Sequence, residues 1–185
     1  MANTKETIQD IATDLVQRTG LNSFSFRTLA DQVGVKSSSV HYHFPSKGDL
    51  VRALIQTYTA HFRDKLDEIT AQRSTLYDRL QGLIDIFEAV LLEEKLCLCG
   101  ALAAQVGALD EDSQALLRRY FSVAESWLVY ALRAHADQLQ TPMSPEDLAQ
   151  VLMAGLEGAV LIDRVDGGQR RLDAMRAMVR AVTAS

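Results

Sequence analysis

The residues best suited to polar chemistry crowd into one short stretch. Between Asp31 and Asp49 the chain carries no acid, while Lys36, His41, His43 and Lys47 fall there with the hydroxyls of Ser37, Ser38, Ser39 and Tyr42. Short hydroxyls, an imidazole and a phenol all hydrogen-bond phosphate oxygens and base edges, and none repels a polyanion. Arg27 lies just upstream, and an Arg fork on guanine is the commonest specific contact to a base. Taken singly, each reads more readily as a solvated polar side chain. Net charge does not advertise a polyanion binder: the total is −5. Residues 1–48 nevertheless carry +1 and the remainder −6, a locally basic segment on an acidic body.

Such a set needs short, rigid elements to present it. The spacing predicts a first helix from Asn3 to Gly20, with Ile8, Ile11, Ala12, Leu15 and Val16 on one face. Asn3 with Glu6 reads as its capping pair and Gly20 as its stop. Ser25 reads as the N-cap of a second helix that places Phe26, Leu29, Ala30 and Val33 together and ends at Gly34. A third, very short helix is expected from Ser37 to about His43, and Ser46 with Asp49 caps a fourth after Pro45. Two short helices crossing steeply need a small residue at the approach, a corner that tolerates positive φ and an apolar plug. Ala30, Gly34 and Val40 fill those roles, with Leu29, Val33 and Val35 as further core. This is the helix-turn-helix pattern, whose second helix enters the major groove in DNA-binding versions. With Val40 and Phe44 inward, the outward set is Ser38, Ser39, His41 and Tyr42. Lys47 then sits in a first helical turn, where amides and dipole also favour a phosphate.

The stretch from Phe26 to Leu50, FRTLADQVGVKSSSVHYHFPSKGDL, resembles the DNA-binding domain of the TetR family of bacterial transcriptional repressors. Its most specific part is Tyr42-His43-Phe44-Pro45-Ser46-Lys47 leading into an acid and a Leu. The resemblance is strong over the first quarter of the chain and rests elsewhere on length and helical pattern. It implies an all-α fold of about nine helices, a three-helix DNA-binding domain over 1–48, and a helical ligand-binding and dimerisation domain over 49–185. It implies a homodimer that binds a palindromic operator, in most members as a repressor, and that a small effector releases. By motif match, Arg27, Ser38, His41, Tyr42 and Lys47 fall on the family's DNA-contacting positions, with Lys36, Ser37 and Ser39 beside them. His41 is a departure, since many members carry an aromatic residue there.

The rest of the chain reads as a helical bundle. Leu50, Leu54, Tyr58, Phe62, Leu66 and Ile69 continue the fourth helix, and Leu76 to Leu91 make a fifth. Leu96 to Leu109, almost wholly apolar and small, is expected as a buried helix, and another runs from about Glu111 to Gln138. Leu148, Val151, Leu152, Gly155, Leu156, Ala159 and Val160 form a broad stripe on the next helix. Leu172, Met175, Val179 and Val182 form a narrow seam on the last. On pattern alone these stripes fit internal packing or an interface equally; the resemblance favours a two-fold four-helix bundle. It also places a ligand pocket among the fifth to eighth helices, with Phe62, Phe87, Cys97, Trp127, Tyr130 and Met153 as candidate lining. For each of these six, core packing is the competing assignment. An interior of Leu, Met and Ala favours a small, mostly apolar effector.

Cys97 and Cys99 are two residues apart. On one helix they would face opposite sides, about 200° apart, and neither share a metal nor close a relaxed disulfide. Lys95 and a helix N-terminus are features that lower a thiol pKa. Cys97 is similar in its surroundings to the reactive cysteine of TetR-like electrophile sensors, which makes it a candidate sensor; two small buried residues are the alternative.

Composition bounds the remaining classes. A chain of 185 residues with 48% hydrophobic and 23% charged residues buries a sizeable core and is not a disordered tail. No run reaches the roughly 18 apolar residues of a membrane span. Glu6, Asp10 and Asp14 interrupt the N-terminus, so no signal peptide is expected there, and a cytoplasmic location follows. His41 and His43 are not a zinc-binding i, i+4 pair, and no phosphate-binding Gly loop or catalytic triad order is present. No cofactor, metal ion or catalytic activity is therefore expected. The expected partners are double-stranded operator DNA, a second copy of the chain and a small-molecule effector. An enzyme, or a helical interaction module without DNA binding, is the competing class.

Overall fold

Capping groups written into the sequence set most helix starts in the computed structural model, which describes residues 4–183. Nine α-helices are present among the described residues: α1 (Thr4–Thr19), α2 (Phe26–Val33), α3 (Ser37–His43), α4 (Lys47–Gln72), α5 (Leu76–Leu92), α6 (Leu98–Ala103), α7 (Glu111–Ala134), α8 (Pro145–Asp166) and α9 (Arg170–Val182). Ser25, Thr75 and Ser144 each accept a backbone N–H from the residue three positions on, which satisfies a donor left open at a helix start. Asn3, expected to cap α1, lies outside the described residues. No strand forms among the described residues, and a single antiparallel bridge joins Leu139 to Thr183. No described helix is long and apolar enough to cross a membrane.

The chain divides into two compact units. The first takes the described residues up to Ala60 together with Leu98–Tyr120. Its core is built from Ile8, Ala12, Val16, Leu29, Val40, Phe44, Leu50 and Leu54, all essentially without solvent exposure. α6 packs on α1 within it.

The second unit takes His61–Cys97 and the described residues from Phe121 onward. There α5, α8 and α9 pack on one another around Leu80, Ile84, Leu152, Leu156, Leu172 and Val179. Asp163, fully buried near the end of α8, accepts the backbone N–H groups of Arg171 and Leu172 and so caps α9 from a neighbouring helix. Arg176 ties α9 to α5, donating to Gln81, Asp85 and Glu88 at 2.6, 2.9 and 2.8 Å.

Two expected elements are shorter than their patterns. The segment Leu96–Leu109 is not one buried helix: only Leu98–Ala103 is α-helical, a 3-10 turn follows at Val106–Ala108, and Val106 is exposed. Two glycines and four alanines offer little apolar area to hold the later turns. Cys97 accordingly precedes α6, and helical spacing does not govern its relation to Cys99. The helix beginning at Glu111 ends at Ala134, and Ala136–Gln138 forms a separate 3-10 turn.

Candidate nucleic-acid interface

The corner between α2 and α3 is a backbone device. Gly34 has φ +78°, in the left-handed region, and its N–H donates to the Ala30 carbonyl at 2.9 Å. The Val35 N–H donates to that same carbonyl at 3.0 Å, closing the end of α2. A Cβ at Gly34 would meet nothing within 4 Å, so glycine is needed here for its dihedral and not for space. At the other end of α2, Ser25 and Thr28 cap each other: Ser25 Oγ accepts the Thr28 N–H, and Thr28 Oγ1 accepts the Ser25 N–H. Val40 and Phe44 face inward, fully buried, while Val33 and Val35 are only half-buried.

That packing leaves one side of α3 in solvent. Ser38, His41 and Tyr42 are exposed, Tyr42 to 83%, and Lys36 and Arg27 are exposed beside them. Ser37 and Ser39 are half-buried. The His41 ring meets the Phe26 ring edge-on, with centroids 4.9 Å apart, so α2 helps to orient the imidazole. Tyr42 stands against His43 in the same way at 5.2 Å.

Lys47 is placed differently from its neighbours. Its ammonium donates to the Phe24 carbonyl at 3.0 Å and lies 4.5 Å from the centre of the Phe24 ring. Partial burial lowers its pKa. One residue earlier, Ser46 and Asp49 form a reciprocal cap on α4: Asp49 N–H donates to Ser46 Oγ, and Ser46 N–H and Oγ–H donate to Asp49 Oδ2. The Ser46 hydroxyl and the Arg52 guanidinium hold the Asp49 carboxyl below its usual range. Arg52 donates to Asp49 Oδ1 at 2.6 Å and also to Asp110 Oδ2. Asp110 in turn accepts the Ser113 N–H at the start of α7. A single guanidinium thus joins the cap of α4 to the cap of α7. The i, i+3 half of this link is visible in the sequence; the Asp110 half, 58 residues away, is not.

In the second unit, Phe62, Phe87, Cys97 and Met153 are buried as expected of inward residues. Trp127 is half-buried and its indole N–H donates to Thr70 Oγ1 at 2.9 Å. Tyr130 does not point inward: it is 62% exposed on α7. Among the described residues, no group of three or more His, Cys, Asp or Glu is arranged to hold a metal ion.

The residues expected at a dimer interface need correction. Leu148, Leu152, Leu156, Ala159, Leu172, Met175 and Val179 are buried inside their own protomer. Gly155 is half-buried against the Met175 side chain, and Val182 is half-buried. The large apolar residues that α8 leaves exposed are Val151, Leu161, Ile162 and Val165, the last to 82%. Periodicity finds the dominant apolar face of a helix, which here is the internal one. A second, sparser face carries no separate signal.

Residues 8–54 match the family described as bacterial regulatory proteins, tetR family. A TetR transcriptional regulator from Legionella pneumophila is 31% identical, with a TM-score of 0.87 over 97% of this chain and 96% of that one. A TetR-family transcriptional regulator from Agrobacterium tumefaciens is 28% identical, with a TM-score of 0.92 over 98% of both chains. The transcriptional regulator AcuR of Cereibacter sphaeroides is 26% identical over 77% of this chain and 68% of its own length.

Proposed function

The chain belongs to the TetR family of transcriptional regulators, and from that premise we propose that it acts as a ligand-responsive repressor. In this reading a homodimer binds a palindromic operator and is released when a small effector, mostly apolar or electrophilic, binds the second unit. The observation that carries the reading is the exposed face of α3. Ser38, His41 and Tyr42 stand clear of the core while Val40 and Phe44 are locked in it. Arg27 and Lys36 flank that face and bring the charge that phosphates require.

The exposed residues Val151, Leu161, Ile162 and Val165 of α8 supply the dimer face. A dimer sets two reading helices one helical turn, roughly 34–36 Å, or a multiple of it apart, as a palindrome demands. The effector acts by linkage: a ligand that prefers a state with the two α3 helices misplaced lowers affinity for the operator by the same factor. Phe62, Phe87, Cys97, Trp127 and Met153 are the candidate lining of its pocket, whereas Tyr130 is exposed on α7. The test is binding to duplexes enriched by the chain from a random DNA pool. Arg27→Ala is expected to weaken binding and relax base preference, and Tyr42→Ala to weaken it on every sequence. No enrichment at all would refute the reading.

A further inference from the structure

The first unit holds a cavity of about 250 Å³, lined by the 3-10 turn Leu21–Ser23, the first turns of α4 and the start of α7. Leu21, Val51 and Leu109 give it an apolar wall, and all three are buried. Lys47, Asp110 and Ser113 supply polar groups. Both Asp110 oxygens are engaged, Oδ1 by the Ser113 N–H and Oδ2 by the Arg52 guanidinium, which also balances its charge. The other two groups keep bonding capacity. An ammonium has three N–H donors, and that of Lys47 spends one on the Phe24 carbonyl. Ser113 is buried; its hydroxyl lies near enough to Asp110 to lower that carboxyl's pKa, yet its Oγ has no hydrogen-bond partner of regular geometry among the described residues.

The cavity therefore offers donors beside hydrocarbon, which calls for an acceptor that carries a tail. Partial burial lowers the Lys47 pKa, and an anion beside the ammonium offsets that cost. The first turn of α4 adds the positive end of a helix dipole. A hydrated inorganic ion would lose water against Leu21, Val51 and Leu109 and gain nothing from them. A short aliphatic chain gains by the same burial. The volume lies below the roughly 300–1,000 Å³ of pockets for drug-sized ligands, so the chain is only a few carbons long.

We propose that this cavity binds a short-chain aliphatic carboxylate. Its carboxylate accepts from the Lys47 ammonium and the Ser113 hydroxyl, and its chain lies on Leu21, Val51 and Leu109. The site belongs to the first unit, whereas the residues assigned to an effector pocket belong to the second. A bound carboxylate takes up the ammonium that DNA binding would turn toward a phosphate. Ligand and operator then compete, each lowering the affinity of the other by the same factor. That competition, unlike the site itself, rests on the proposed DNA-binding function.

The experiment titrates the isotope-labelled full chain with sodium butyrate, and separately with butyramide, sodium phosphate and sodium chloride at matched ionic strength, and follows backbone amide shifts by NMR. Butyrate is expected to shift the amides of Lys47, Gly48 and Ser113 to saturation. Butyramide, of the same shape without the charge, should bind roughly 10-fold more weakly. Ser113→Ala leaves the backbone bond to Asp110 in place and should weaken butyrate binding by roughly 10-fold or more; Lys47→Gln should do the same. Shifts that do not saturate, equal binding of butyramide or chloride, or wild-type affinity in Ser113→Ala each overturn the proposal. Phosphate that binds as tightly as butyrate overturns it as well, since a seat for any oxyanion, a DNA phosphate included, needs no apolar wall. Operator affinity is then measured with and without saturating butyrate. A loss beyond that in matched chloride supports the competition, and an unchanged affinity defeats it while the site stands. A chain that binds butyrate but no DNA defeats the regulator reading and spares the site.

Discussion

Lys47 donates its ammonium to the Phe24 carbonyl at 3.0 Å and covers the Phe24 ring, so the cation expected to meet a phosphate is anchored to the loop before α2. Its tether fixes the start of α4 against the reading module. If the ammonium also reaches a phosphate, Lys47→Ala will lower DNA affinity on all sequences and reduce the salt slope by about 0.9 per protomer, about 1.8 for the dimer. Fluorescence anisotropy over a salt series separates this from a purely structural tether, for which affinity falls and the slope stays.

The corner of the reading module depends on one dihedral. Gly34 sits at φ +78° with open space where a side chain would go. Gly34→Ala is therefore expected to cost about 1–2 kcal/mol through backbone strain alone. Urea denaturation of the two proteins checks the figure, and an unchanged midpoint would show that the corner relaxes to a non-glycine geometry.

The two faces of α8 should answer differently to substitution. Val165→Asp and Leu161→Asp touch exposed residues and are expected to give folded monomers with weak operator binding. Leu156→Ala opens a cavity in a buried site and should instead cost about 2–5 kcal/mol of stability. Sedimentation velocity and thermal melts distinguish the outcomes. Aspartate variants that remain dimeric would place the interface elsewhere.

Glu157 gives the fold a pH dependence of unusual sign. Its folded pKa is raised from 4.5 to about 7 by burial, so the folded state holds the proton more tightly than the unfolded chain. The Glu157 contribution to stability is then fully present below about 4.5, is lost as pH rises through the window from 4.5 to about 7, and is absent above it. A shift of this size corresponds to about 3 kcal/mol. Glu157→Gln should remove that slope. Parallel wild-type and variant curves across the window would contradict the assignment.

Much of the reading module was legible because its determinants are local. Ser25, Gly34, Ser46 and Asp49 act on backbone groups within five residues, and turn chemistry of that range is written in sequence. The long-range links were not. Asp110 reaches Arg52, and Lys47 folds back on Phe24; no periodicity encodes such pairs. The stripe on α8 was found, but its side of the helix was assigned to the wrong neighbour, because internal and intermolecular apolar faces obey the same spacing. Tyr130 failed for the reverse reason, since an aromatic residue on a long amphipathic helix does not have to face inward.

The central claim is that α3 reads DNA from a two-fold assembly. The most direct measurement is the affinity of the full chain for an enriched palindrome, over a range of salt, with both half-sites intact and with one scrambled. The account predicts that log K falls linearly with log salt, by about 0.9 per phosphate neutralised, and that scrambling one half-site weakens binding steeply. Affinity that is independent of salt, or equal for the intact and half-scrambled duplexes, would contradict it.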